Sequence, residues 1–96
     1  MKLYISGKMS GLPENRVRHR FNEAAEYLRT EGHIPVNPAV MFDNPGLEYE
    51  EYMNIDFKML EQCDGIYMLR GWEDSPGARR EIARAIKLGM QVILEA

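Results

Sequence analysis

The sequence GIYMLRGWEDSPGARREIARAIKLGMQVIL, residues 65–94, contains a complete strand–helix–strand unit. Its first five residues, 65–69, form the short apolar run that is typical of a buried strand. After a turn-rich loop, Ser75 and the proline that follows it are residue types that begin helices. The helical spacing continues to Leu88, and residues 90–94 form a second short apolar run. Two such strands joined by a helix predict a right-handed crossover and parallel pairing.

The rest of the chain alternates short strands and longer helices in the same way. Pro35 interrupts one predicted strand and indicates a sheet edge, where a missing N–H breaks no hydrogen bond. The pattern predicts strands at Leu3–Ile5 and 33–36, helices at 14–31 and 48–62, and an irregular loop over 37–48. The order β-α-β-α-β-α-β therefore predicts one α/β domain over residues 1–96. We expect a doubly wound, flavodoxin- or Rossmann-like fold with a four-stranded parallel sheet.

Composition limits the classes of protein to which the chain can belong. Its 96 residues are 45% hydrophobic and 28% charged, as expected for a small globular domain with a thin core. The net charge of -3 argues against binding a nucleic acid polymer, and no apolar stretch is long enough to span a membrane. The single cysteine, Cys63, excludes a cysteine-rich metal site, and His19 and His33 lack metal-ligand spacing. We expect a cytoplasmic, self-associating protein without a metal or another cofactor.

Two carboxylates occupy helix faces that are otherwise apolar. Glu81 falls within the arc of the third helix that also holds Ala85, and Asp56 points into the stripe of the second helix that includes Met53. The predicted apolar faces comprise Ala78, Ile82, Ala85 and Ile86 on the third helix and Tyr49, Met53, Phe57 and Leu60 on the second. A carboxylate on a buried face costs several kcal/mol unless it is compensated. Each is therefore either a compensated structural acid or a functional group.

The loops after the strands are the candidate binding elements, because ligands of doubly wound sheets bind at the carboxyl ends of strands. The segment Ser75–Ala78 either binds an anion at a helix start, where Gly77 allows close approach, or simply caps the helix. The loop from Ser6 to Gly11 is long enough to wrap a ligand but matches no phosphate-binding motif. Trp72 either stacks on a base or covers the core.

Together these segments resemble the nucleoside 2-deoxyribosyltransferase-like proteins over nearly the whole chain. The similar elements are Tyr4-Ile5-Ser6-Gly7, Asn37-Pro38, Asp56, Cys63-Asp64 and the closing pattern Gly71-Trp72-x-x-Ser75-x-Gly77-Ala78-x-x-Glu81-x-x-x-Ala85-x-x-x-Gly89. The closing pattern is the most specific of them. This superfamily also contains 2′-deoxynucleoside 5′-monophosphate N-glycosidases.

The resemblance implies a role for each matching residue. Glu81 matches the nucleophile, Tyr4 the tyrosine that hydrogen-bonds it, and Asp56 an aspartate that holds the sugar or assists proton transfer. Asp74 matches the loop acid near the base. The implied substrate-binding residues are Ser6, Gly7, Lys8, Met9, Trp72, Ser75 and Gly77, of which Ser75 and Gly77 match the turn that holds a 5′-phosphate.

Two functions account for these residues, whereas a third option, a plain structural or interaction domain, would leave Glu81 and Asp56 unexplained. The first is an enzyme that cleaves or transfers at the N-glycosidic bond of 2′-deoxynucleosides or their 5′-monophosphates, with Glu81 forming a deoxyribosyl–enzyme ester. The second is a non-catalytic nucleotide-binding module with the same fold. In both cases the expected ligand is a small deoxynucleoside or deoxynucleotide, no cofactor is required, and the resemblance implies a homodimer or a higher homo-oligomer.

Overall fold

A computed structural model describes residues 1–39 and 46–96 of the chain. Four strands form one parallel sheet: β1 (Lys2–Ser6), β2 (Ile34–Val36), β3 (Gly65–Met68) and β4 (Gln91–Leu94). Their order in the sheet is β2-β1-β3-β4, so β2 lies at an edge and tolerates Pro35 as predicted. Residues 40–45 of the predicted irregular loop lie outside the described part of the chain.

Three helices connect the strands: α1 (Glu14–Thr30), α2 (Tyr49–Glu61) and α3 (Pro76–Lys87). Every predicted strand and helix is present, with boundaries that differ by at most one residue. Within the described ranges, a short 3₁₀-helix at Trp72–Asp74 was not predicted. It forms because Gly71 adopts a left-handed conformation with φ of 87°, which turns the chain after β3.

The helices cover both faces of the sheet, which confirms the doubly wound α/β fold. On one face, α1 packs Phe21 and Leu28 against Leu3 and Ile5 of β1. On the other face, residues of α2 and α3 pack against the second set of alternating strand side chains, including Tyr4, Ile66 and Met68. Ala78 and Ala85 on α3 are fully buried there, and such small residues let the helix approach the sheet closely.

Two side chains that were predicted to be buried are exposed. Ile86 is 63% exposed because α3 lies near the edge strand β4, where Val92 and Leu94 are also uncovered by the described residues. Tyr49 is 47% exposed because it begins α2 at the mouth of a cavity instead of lying under the helix. No helix in residues 1–39 or 46–96 is long and apolar enough to cross a membrane.

Candidate active site

Glu81 is the centre of the candidate site, and its carboxyl group is held by two hydroxyl groups of β1. The Tyr4 hydroxyl donates a hydrogen bond to Glu81 Oε2 at 2.6 Å, and the Ser6 hydroxyl donates to Oε1 at 2.6 Å. Tyr4 and Ser6 are two positions apart on a strand, so their side chains emerge on the same face of the sheet. Glu81 is only 5% exposed, which confirms its predicted burial.

The start of α3 aims Glu81 at β1. The Ser75 hydroxyl accepts a hydrogen bond from the Ala78 N–H at 3.1 Å and so caps the helix, and Pro76 occupies the first turn. From this fixed start, Ala78, Glu81 and Ala85 follow one another on the buried face of α3. The capping alternative for Ser75 is therefore observed, although the residue also faces the cavity described below.

Asp56 of α2 is the second carboxyl group at the site. Its Oδ1 atom is buried and has no hydrogen-bond partner among the described residues. Burial raises the pKa of Asp56 to about 6, although side-chain interactions with Glu81 and Tyr4 act to lower it. A buried polar atom without a partner costs stability, so it is the kind of atom that a polar group of a bound ligand would satisfy.

The two carboxyl groups also influence each other. Burial, and secondly the charge of Asp56, raises the pKa of Glu81 to about 8, although the hydrogen bonds from Ser6 and Tyr4 lower it. Interacting carboxyl groups lose their protons in two steps that belong to the pair, and between these steps the pair holds one proton. The hydrogen bonds that both oxygens of Glu81 accept favour the charge on Glu81 and the proton on Asp56, whereas the deeper burial of Glu81 favours the reverse.

Tyr4 remains a hydrogen-bond donor throughout this range of pH. Burial is the main reason that its pKa lies well above the ordinary value, and the neighbouring charge of Glu81 raises it further. The phenol therefore stays protonated whenever Glu81 is ionised. This is the arrangement needed to orient and stabilise a buried carboxylate.

A cavity of about 340 Å³ opens above the carboxyl pair. Segments after three strands contribute to it, namely Gly7 after β1, Pro38 after β2 and the turn Ser75–Ala78 after β3. The site therefore lies at the carboxyl ends of the strands, as predicted for a doubly wound sheet. Of the predicted site residues, the ones that line this cavity are Gly7, Met9, Asp56, Ser75, Gly77 and Glu81.

The remaining predicted site residues lie elsewhere. Tyr4 and Ser6 are buried behind Glu81 and act on it instead of forming the cavity wall. Lys8 is half-buried and does not line the cavity. Trp72 packs against the core layer beneath α2 and α3, and Asp74 is exposed in the 3₁₀-helix, so neither lines the cavity. The catalytic and binding roles implied for all these residues stay predictions.

The structure adds wall residues that the sequence interpretation did not assign to a site. Tyr49, Tyr52 and Met53 of α2 line the cavity together with Asp56. These four residues recur at i, i+3, i+4 and i+7, so they share one helix face. The sequence predicts Tyr49 and Met53 as part of a buried stripe, and Asp56 within that stripe is the signal that this face borders a ligand site instead.

Gly7 and Gly77 contribute to the site in different ways. A Cβ on Gly7 would lie 2.9 Å from the Cβ and Cδ1 atoms of Leu69, so the chain can pass there only without a side chain. A Cβ on Gly77 would meet its nearest neighbour, the Met53 sulfur, at 3.4 Å. A Cβ at Gly77 would therefore make ordinary van der Waals contacts at the cavity wall, whereas Gly7 is required by packing. Within the described residues, no three His, Cys, Asp or Glu side chains cluster as metal ligands would.

The chain was compared with known proteins at the level of sequence and of structure. A search of curated protein sequences found no significant match. The CMP N-glycosidase BcmB of Clostridium botulinum superposes with a TM-score of 0.64 at 19% identity, over 98% of this chain and 67% of that one. A 2-deoxyribosyltransferase of Bacillus psychrosaccharolyticus superposes with a TM-score of 0.71 at 20% identity, over 98% and 71%.

These similarities show that the chain has the same fold as these two proteins, which is the fold that the sequence resemblance implied. A family model described as a domain of unknown function, DUF4406, matches residues 1–94, which is nearly the whole chain. The chain therefore belongs to the DUF4406 family.

Proposed function

We propose that this protein cleaves or transfers at the N-glycosidic bond of 2′-deoxynucleosides or their 5′-monophosphates, with Glu81 as the nucleophile. The observation that carries the proposal is the buried Glu81 carboxyl, held by the Tyr4 and Ser6 hydroxyls next to Asp56 at the base of a cavity. The structural neighbours, a CMP N-glycosidase and a 2-deoxyribosyltransferase, support N-glycosidic chemistry in general.

In the first half-reaction, a Glu81 oxygen attacks C1′ of the sugar and forms an ester bond. The C1′–N bond breaks through an oxocarbenium-like state, and its electron pair leaves with the base. Asp56 donates a proton to the departing base. We assign this role to Asp56 and not to Asp74, because Asp56 lines the cavity beside Glu81 and Asp74 does not.

In the second half-reaction, water or a second base attacks C1′ on the face opposite the ester oxygen. Asp56, now ionised, takes the proton that the attacking group loses, and Glu81 leaves as a carboxylate. Two successive displacements at C1′ retain the configuration of the sugar. Tyr4 and Ser6 stay in place as donors that stabilise Glu81 whenever it is charged.

The cavity walls suit a nucleoside in size and character. A volume of about 340 Å³ lies at the lower end of the usual range for small-molecule sites. The aromatic rings of Tyr49 and Tyr52 offer faces on which a base can stack, and the turn at Ser75 and Gly77 is available for the 5′ end of the sugar. The homodimer or higher homo-oligomer implied by the resemblance is part of this proposal.

The deciding experiment incubates the purified protein with each 2′-deoxynucleoside and each 5′-monophosphate, with and without a free acceptor base, followed by chromatography. Glu81→Ala and Glu26→Ala serve as the test variant and the matched control, since Glu26 is an exposed glutamate on α1. We expect release of base by the wild type and Glu26→Ala, and none by Glu81→Ala. A new nucleoside that forms with the acceptor identifies a transferase.

Intact-mass analysis of quenched reactions tests the covalent step. The proposal expects a deoxyribosyl or phosphodeoxyribosyl adduct on wild-type protein and none on Glu81→Ala. Binding of a deoxynucleotide without release of base from any substrate would contradict the proposal and favour the non-catalytic binding module.

A further inference from the structure

Two arginines of α3 cross the outer surface of the helix pair and bind acidic residues of α2. Arg80 donates from Nη1 and Nη2 to the two carboxylate oxygens of Glu50, at 2.8 and 3.2 Å. One turn later, Arg84 donates from Nη1 to Glu61 at 3.4 Å. Glu50 and Glu61 lie near opposite ends of α2, so the two contacts link the helices along most of its length.

Both guanidinium groups also lie over the same aromatic ring. The Arg84 guanidinium carbon is 4.3 Å from the centroid of Phe57, and that of Arg80 is 5.5 Å from it. Phe57 is buried, so these cation–π contacts anchor the arginines above a fixed ring. We call Glu50, Phe57, Glu61, Arg80 and Arg84 the arginine clasp.

The clasp is adjacent in sequence to both carboxyl groups of the candidate site. Phe57 directly follows Asp56 on α2, and Arg80 directly precedes Glu81 on α3. No member of the clasp lines the cavity, but the Arg80 guanidinium also lies 5.7 Å from the ring centroid of Tyr49, which does. An effect of Arg80 on chemistry can therefore act through this ring as well as through the helices, whereas an effect of Phe57 acts through the helices. Because each of the two helices carries one of the carboxyl groups, the position of α2 relative to α3 fixes the separation between Asp56 and Glu81.

We propose that the arginine clasp positions α2 against α3 and thereby sets the separation of the Asp56 and Glu81 carboxyl groups. Its members are positioning residues and not catalytic ones. The kinetic part of this inference rests on the proposed function, but the positioning itself does not. The Coulomb interaction between two carboxyl groups falls with distance, so their two ionisation steps report the separation directly.

Tyrosines of β1 and α2 face the carboxyl pair. Tyr4 contacts the pair from β1 and stays protonated, and Tyr49 and Tyr52 line the same cavity from α2.

Loosening the clasp moves the carboxyl groups apart. The second ionisation then becomes easier and occurs at a lower pH. Removal of the Arg80 charge alone would act in the opposite direction, because a nearby cation favours ionised carboxylates.

The test is a carboxyl ¹³C NMR titration of the ligand-free protein, assigned with Asp56→Asn and Glu81→Gln. Arg80→Gln removes the contacts and the charge, whereas Phe57→Leu removes the shared ring and keeps both charges. Arg29→Gln is the matched control, because Arg29 forms an exposed ion pair with Glu26 on α1, across the sheet. Thermal melts establish that each variant is folded.

In Arg80→Gln and Phe57→Leu, we expect the second ionisation step to occur about half to one pH unit lower than in the wild type. In Arg29→Gln, it should occur at the same pH as in the wild type. We also expect kcat/KM to fall on the order of tenfold in both variants, since small displacements of reacting groups are costly. Arg80→Lys keeps the charge without the two-point contact and should give an intermediate shift.

If the pH of the second ionisation step is unchanged or higher in Arg80→Gln and Phe57→Leu, the inference is overturned. If the wild type converts no nucleoside or nucleotide, the proposed function fails, and the NMR titration still decides whether the clasp positions the pair.

Discussion

Tyr4 and Glu81 are separated by 77 positions in the sequence, and their side chains meet at 2.6 Å in the interior of the protein. This contact joins strand β1 to helix α3. Burying a charged carboxyl group is costly when nothing replaces the lost water. Hydrogen bonds from protein hydroxyls compensate for that loss at Glu81. The ionisation of Glu81 therefore depends on the Tyr4 phenol together with the Ser6 hydroxyl, and the part played by the phenol can be measured.

The variant Tyr4→Phe removes the hydroxyl and keeps the ring. Because a donor to the ionised form is lost, the pKa of Glu81 rises further, and less of the nucleophile is charged at neutral pH. A hydrogen bond to a charged group contributes about 1.5–3 kcal/mol, so we expect kcat/KM at pH 7 to fall about 10- to 100-fold. The acidic limb of the pH–rate profile should move to higher pH.

Tyr27→Phe is the matched control for this variant. Tyr27 is 53% exposed on α1, and its hydroxyl donates only a long hydrogen bond of 3.4 Å to Glu31. Its pH–rate profile should coincide with that of the wild type. A Tyr4→Phe enzyme with the wild-type profile would show that Ser6 alone is sufficient to hold the carboxylate.

The raised pKa values of Glu81 and Asp56 predict how stability depends on pH. A carboxyl group with a higher pKa in the folded state than in the unfolded state binds more protons when folded, so the free energy of unfolding falls as pH rises. For Glu81, this contribution is fully present below about pH 4.5 and is lost as pH rises through about 8. Glu81→Gln removes it, and thermal unfolding should therefore depend less on pH in this variant.

Thermal melts at pH 5 and pH 8.5 measure this difference. Between these two pH values, we expect the Tm of the wild type to fall further than the Tm of Glu81→Gln. The difference should be at least about 4–8 °C, which corresponds to about 1 kcal/mol for a domain of this size. Glu26→Gln alters an exposed ion pair on α1, and its Tm should depend on pH in the same way as that of the wild type. An equal fall in Tm for the wild type and Glu81→Gln would mean that ionisation of the buried carboxyl group costs no stability.

The fold could be predicted from the sequence because its strands are short, apolar and bounded by turn residues. Gly65–Met68 is buried along its whole length, and the start of α3 carries its own capping residues. The 3₁₀-helix was missed because it depends on the left-handed conformation of Gly71, and a glycine in a loop does not reveal its φ angle. The exposure of Ile86 was missed because helix periodicity does not reveal where a sheet ends.

The candidate site could be predicted only in part, for a related reason. Glu81 was evident as an acid on an apolar face, and the strand–helix order directed attention to the loops around it. Its hydrogen bond from Ser6 depends on the depth at which α3 packs, which no local pattern encodes. The cavity-lining positions of Tyr49 and Met53 could not be told from core positions, because a cavity wall and a core have the same spacing of apolar residues.

Asp56→Asn tests whether Asp56 supplies the proton to the departing base. The amide keeps the shape of the side chain but cannot act as an acid, so we expect kcat for ordinary deoxynucleosides to fall about 10²- to 10⁴-fold. A substrate such as 7-methyl-2′-deoxyguanosine has a base that leaves without being protonated, and its cleavage should fall much less. Equal losses for both substrates would assign Asp56 to sugar binding instead.

Gly77→Ala tests whether the cavity wall at the start of α3 contacts the substrate. The added methyl group would meet Met53 at 3.4 Å and the Tyr49 hydroxyl at 3.6 Å, which are tolerable contacts, and alanine favours the helix. We therefore expect a wild-type or slightly higher Tm together with a raised KM, because the methyl group occupies space at the cavity. Gly7→Ala is the informative contrast, since its methyl group would lie 2.9 Å from Leu69 and should destabilise the fold by about 1–3 kcal/mol. A Gly77→Ala protein with an unchanged KM for every converted substrate would show that the substrate does not reach this turn.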